Sequence, residues 1–177
     1  MTEVIAPDAY GTLIEPATLK IERLLPGPID RVWAYLTDSD LRRQWLASGE
    51  MKPEPGSIFE LTWRNDELDD PSTTPRPDSP GHHTQQSRMV AFEPPHRLAY
   101  HWEGVGDVEF TLAEEGPDVR LTLIHQRIPD RGTLLGVSAG WHAHLDVMVA
   151  RLTGQAMAPF NTTRERLKED YAQRLFG

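Results

Sequence analysis

The chain has 177 residues, 38% hydrophobic and 25% charged, which suits one domain with its own core and excludes fibrous, low-complexity and small disulfide-scaffold classes. The absence of cysteine removes disulfides, thiolate metal sites and a cysteine nucleophile together, and a cytoplasmic setting is expected. A net charge of -9, from 18 Lys+Arg against 27 Asp+Glu, argues against nucleic acid and anionic membranes as partners and for a neutral or apolar cargo.

Residues 1–16 carry no helical period, contain Pro7, Gly11 and Pro16, and read as a tail or an edge strand. They show no basic, apolar leader of signal-peptide type, and no run anywhere nears the roughly 18 apolar residues of a membrane span. From Ala17 an apolar run through Leu19, Ile21, Leu24 and Leu25 predicts a strand stopped by Pro26-Gly27-Pro28. Ile29, Val32, Trp33 and Leu36 then recur at helical spacing, with Pro28 in the first turn. Thr37 or Asp38 can cap a second short helix with Leu41, Trp45 and Leu46 inside and Gly49 as its end.

The alternation of Phe59, Leu61 and Trp63 predicts the next strand. Residues 65–86, with Pro71, Pro75, Pro77 and Pro80, read as a loop inside the domain. Four further strands follow, from Arg88, Arg97, Val108 and Val119, separated by Pro- and Gly-containing turns in the manner of an antiparallel meander. The period then changes: Leu134, Val137 or Ser138, Trp141, Leu145, Met148 and Leu152 form one stripe along a helix of about twenty residues, closed by Gly154. A last helix shows Leu167, Tyr171 and Leu175, with Asn161, Thr162 or Thr163 as its cap. That stripe needs a cover, either its own domain or the second copy of a homodimer.

Segregated strands and helices indicate an α+β fold, a curved antiparallel sheet wrapped around one long helix with two short helices after the first strand. Where the helix does not fill the concave face, the gap is a largely apolar pocket.

Several segments carry a family resemblance: Pro28-Ile29-Asp30-Arg31-Val32-Trp33 with Leu36-Thr37-Asp38, Leu41 and Trp45-Leu46, Leu121-Thr122-Leu123-Ile124-His125, and Gly140-Trp141 with Leu145 and Leu152. In this order and spacing the chain resembles the SRPBCC superfamily (START-like, Bet v 1-like, helix-grip fold), and within it the activator of Hsp90 ATPase homologue 1-like family. The resemblance covers residues 17–154, sets aside 155–177 as an additional C-terminal helix, and implies a helix-grip pocket for lipids, sterols, polyketides or other bulky apolar molecules. It implies no universal catalytic set, since such proteins range from carriers to cyclases and co-chaperone domains. The Pro-rich insertion, the extra helix and the lack of the N-terminal domain found in the eukaryotic chaperone activator depart from the pattern, so ATPase activation is not carried over.

Among the seven histidines, His82-His83 are adjacent with side chains pointing apart, and His142 and His144 stand about 200° apart on a helix. Neither spacing builds a ligand pair, and no metal or cofactor is expected. His125 alternates with Val119, Leu121 and Leu123, so it faces the core or the pocket, as a satisfied core histidine or as a polar contact for a ligand. Tyr100 and Trp102 share a face with Leu98, and Val108, Phe110 and Leu112 share the next. With Trp141, Leu145 and Met148 these would wall one cavity, with Phe59 and Trp63 flanking its entrance. Trp33 and Trp45 read as core plugs. Glu103, Asp107 and Glu109 read as a solvated turn, Ser138 and His142 as an exposed pair, and no G-x-S-x-G is present, so no catalytic residue is assigned.

The expected ligand-binding set is therefore Phe59, Trp63, Tyr100, Trp102, Phe110, Leu123, His125, Trp141, Leu145 and Met148, holding an apolar or amphipathic small molecule. The rivals are a co-chaperone-like module that binds a chaperone or another protein, and an enzyme of the cyclase, dehydratase or hydrolase kind.

Overall fold

The structure, a computed structural model, describes residues 10–64, 68, 83–156 and 159–176. The rest of the N-terminal tail and of the Pro-rich loop, His82 included, lies outside the described residues. Seven strands of the described residues form one antiparallel sheet: β1 (Thr12–Glu15), β2 (Thr18–Pro26), β3 (Ile58–Trp63), β4 (His83–Glu93), β5 (Arg97–Trp102), β6 (Gly106–Glu115) and β7 (Asp118–Gln126). Their order is β1-β2-β7-β6-β5-β4-β3, so among the described residues β1 and β3 are the outer strands of an unclosed sheet, with Ser48 bridging Thr62 on the outer side of β3. Among the described residues there are four helices: α1 (Ile29–Thr37), α2 (Ser39–Arg43), α3 (Arg131–Thr153) and α4 (Phe160–Phe176).

Alternation puts every second residue of the inner strands on the concave face. Two cross-strand rows result. One runs Leu19, His125, Val108, Tyr100 and Met89; the other runs Ile21, Leu123, Phe110 and Leu98. All of these side chains are buried. On β2 the inward set is Leu19, Ile21, Arg23 and Leu25, which leaves Leu24 outside and puts a cation inside. Arg23 is accommodated because its guanidinium meets Asp146 of α3 at 3.1 Å.

The two short helices plug one end of the sheet. Asp38 caps α2, accepting from the Leu41 amide at 3.0 Å, and the Trp45 indole donates to the Tyr35 carbonyl at 2.7 Å. Arg42, only 1% exposed, meets no carboxylate among the described residues and donates instead to the carbonyls of Leu36, Thr37, Ala47 and Gly49. One side chain thereby gathers the chain between α1 and β3.

α3 begins on Asp130, which accepts from the Thr133 amide at 2.7 Å, and ends on Gly154 in the left-handed conformation. The stripe Leu134, Trp141, Leu145, Met148 and Leu152 is buried, as its period predicts. Ser138 and His142 correct the reading of an exposed pair: both are buried, because α4 covers the side of α3 that a single stripe would leave to solvent. Leu167 and Tyr171 are completely buried within their own chain. The Tyr171 hydroxyl accepts from the Gly11 amide at 2.7 Å and hydrogen-bonds His142 Nδ1 at 2.9 Å, tying α4 to the chain entering β1 and to α3. The helix starts at Phe160, so Asn161, Thr162 and Thr163 lie inside its first turn and not at the cap.

Candidate ligand-binding site

The side chains at the centre of the grip are buried. Tyr100, Phe110, Leu123, Leu145 and Met148, all expected to touch a ligand, interdigitate there with at most 2% of their surface exposed. Phe59 packs edge-on against Tyr100, ring centroids 5.5 Å apart, and Trp141 edge-on against Phe110 at 5.6 Å. Large side chains packed in this way take up space between sheet and helix. Burial also pushes the Tyr100 hydroxyl well above the ordinary tyrosine range, so it stays neutral.

Open space begins at the rim, where β3 ends, β4 begins and β5 ends. A cavity of about 440 Å³ lies there under the N-terminal half of α3. Trp63, Trp102 and Trp141 wall it. The Trp63 and Trp102 rings stack 5.3 Å apart with 17° between planes, and Trp102 meets Trp141 edge to face at 6.1 Å. Glycines lie in the backbone beside these indoles. Gly106 faces Trp102 across the β5–β6 ladder with φ +128°, and a Cβ there would lie 2.4 Å from the Gln126 carbonyl, so the chain can pass there only without a side chain. Gly136 and Gly140, one turn apart on α3, border the cavity, and a Cβ on either would meet nothing within 4 Å.

His125 does not face this space. It sits behind the indole wall, where its Nδ1 accepts from Trp141 Nε1–H at 3.0 Å and its Nε2 lies 3.0 Å from the Val105 carbonyl. An indole only donates and a carbonyl only accepts, so the ring is the neutral Nε2–H tautomer. Burial enforces this, lowering its pKa to about 4. Its work is to hold Trp141 in place.

The polar groups at the cavity come from positions that periodicity does not mark. The Gln85 side-chain oxygen accepts from the Trp102 indole, which leaves the amide hydrogens as donors beside the cavity. His144 donates from Nδ1 to the Trp45 carbonyl at 2.8 Å, and burial lowers its pKa to about 4, so Nε2 carries a lone pair with no protein donor among the described residues. Arg164 of α4 lies at the same cavity. His83 and Gln85 fall in a segment whose prolines read as loop, yet β4 begins at His83, directly opposite Trp63. The signal available for α3 was a pair of glycines four residues apart inside a helical run, each costing about 1 kcal/mol of helix propensity. Nothing in the chain order points to Arg164, which reaches the cavity only because α4 folds back along α3.

The sequence profile described as Activator of Hsp90 ATPase homolog 1-like protein matches residues 26–153. The chain belongs to this family. A Bordetella parapertussis protein solved by NMR is 40% identical over 98% of this chain and 97% of its own, with a TM-score of 0.80. CalU16 from Micromonospora echinospora is 22% identical over 90% of this chain and 89% of its own, TM-score 0.65. DynU16, a protein of the dynemicin biosynthetic locus, is 20% identical over 78% of this chain and 48% of its own, TM-score 0.59. The last two share the fold. No curated protein matches the chain. The family match covers α1 to α3 and stops short of α4. Among the described residues no helix is long and apolar enough to cross a membrane.

Proposed function

We propose that this protein is a small-molecule-binding domain that holds an apolar or amphipathic ligand in the rim cavity between its sheet and α3. The observation that carries this reading is the pairing of two helical glycines with three indoles around open space. Close packing would fill such a gap, and glycine in a helix interior is unfavourable, so the vacancy has a stability cost that ligand occupancy explains. The volume lies in the range of sites for drug-sized molecules, about 300–1,000 Å³. Trp63, Trp102 and Trp141 offer flat apolar surface, with Gln85 as donor and His144 as acceptor for the polar end of an amphipathic ligand. Of the residues expected to bind, Phe59, Tyr100, Phe110, Leu123, Leu145 and Met148 act as the packed layer that supports the indoles, and His125 as the residue that orients Trp141. The kinship with a protein from a biosynthetic locus is in keeping with small-molecule handling.

The test is a titration with the neutral dye N-phenyl-1-naphthylamine, read by dye emission and tryptophan quenching. Saturable binding by the wild type and its loss in Gly140→Leu, whose side chain projects into the cavity, are expected. Binding that survives Gly140→Leu unchanged would place the dye elsewhere and sink the reading.

A further inference from the structure

Net charge alone predicts a neutral cargo, but the cavity has a charge of its own sign. Among the described residues it is bordered by no Asp or Glu and by one permanent cation, Arg164. That guanidinium forms no ion pair with any described carboxylate; it lies over the Phe160 ring, whose centroid is 5.8 Å away. Phe160 in turn packs against His144, centroids 4.7 Å apart, which places the cation beside the polar corner of the cavity. Buried Arg42 and half-buried Arg64 also lack a carboxylate but donate to oxygen acceptors, whereas half-buried Arg164 has neither an ion pair nor a hydrogen bond among the described residues. The neighbouring Gln85 amide adds a second donor, and the stacked Trp63 and Trp102 set a flat apolar wall next to it.

We infer that the ligand is an aromatic anion, a flat ring system carrying an acidic oxygen group that pairs with Arg164. This rests on the rim cavity being the binding site, and it adds the class of molecule. A guanidinium presents a planar fork of donors that matches a carboxylate, sulfonate or phenolate oxygen, and partial burial strengthens the pairing by excluding water. Arg164 belongs to α4, beyond the 26–153 family match, so the residue that carries the charge preference lies outside the matched module.

Two probes with the same aromatic body separate the possibilities: 1-anilinonaphthalene-8-sulfonate, which is anionic, and N-phenyl-1-naphthylamine, its neutral counterpart. Each is titrated into full-length wild type, Arg164→Gln and Arg164→Lys, with circular dichroism confirming that the variants keep the native helix content. Arg164→Gln is expected to weaken the sulfonate probe about tenfold, the worth of one charge-assisted hydrogen bond, while the neutral probe stays within about twofold. Arg164→Lys is expected to recover part of the loss. A sulfonate-to-neutral affinity ratio that is the same in wild type and Arg164→Gln overturns the inference while leaving the cavity reading intact. Failure of the wild type to bind either probe overturns both.

Discussion

The Trp141 indole donates to His125 Nδ1 at 3.0 Å, and through this one hydrogen bond the packed core sets the position of a cavity wall. Removing the imidazole leaves the buried Trp141 indole N–H without its acceptor and the half-buried Val105 carbonyl without its donor. His125→Ala should therefore cost about 3 kcal/mol or more, from the unsatisfied groups together with the void. Urea unfolding measures this, and near-ultraviolet circular dichroism should show the tryptophan band altered. A loss below about 1 kcal/mol would mean that the relay carries no weight.

Acid should weaken the fold through two histidines. Burial holds His125 and His144 neutral in the folded protein, each with a pKa of about 4 against 6.5 for the free side chain. Between those values the unfolded chain binds more protons, so stability is complete above about pH 6.5 and falls as pH drops toward 4, by roughly 3 kcal/mol per histidine. Asp107 near His125 opposes the shift and Arg164 near His144 adds to it. His144→Asn, whose amide can still donate to the Trp45 carbonyl, should lose about half of the wild-type decline between pH 7 and pH 5 in chemical denaturation. An identical pH slope in the two proteins would exclude His144 as a source.

Gly140→Ala should raise stability. The added methyl meets nothing within 4 Å, and the helix gains about 1 kcal/mol of propensity, visible as a higher thermal midpoint. The same substitution at Gly136 should behave alike, and the two gains should add. Destabilisation by either would show that the space beside α3 is filled.

Arg42→Met should unfold the α1–α2 corner. Four carbonyls lose their donor at once, and no nearby described group replaces it, so a loss of about 3 kcal/mol or more is expected in urea unfolding. Burial already lowers the Arg42 pKa to about 10. Arg42→Lys should recover only a fraction, because a compact ammonium cannot reach carbonyls spread around a planar fork.

Tyr171→Phe keeps the ring of α4 in place and removes one hydroxyl, leaving the Gly11 amide without its acceptor. A loss of about 1–3 kcal/mol is expected, with faster hydrogen exchange at Gly11 than at β7 amides. Unchanged exchange at Gly11 would mean the edge strand is not anchored by α4.

Local pattern alone established the α+β order, the inward alternation of Tyr100, Val108, Phe110, Leu123 and His125, the sheet-facing stripe of α3 and the Gly154 stop, since strand and helix periods are properties of neighbours in the chain. Whether those inward residues touch a ligand was beyond it, because alternation says which way a side chain points and not what volume remains once its partners arrive. Tertiary packing decided that Tyr100, Phe110 and Met148 fill the centre, that the gap survives at the rim beside Gly136 and Gly140, and that Arg164, absent from every local signal, reaches this rim when α4 lies back along α3. The count of 27 acidic against 18 basic residues is a sum over the whole chain, whereas the charge a ligand meets depends on which few side chains the fold brings to one place.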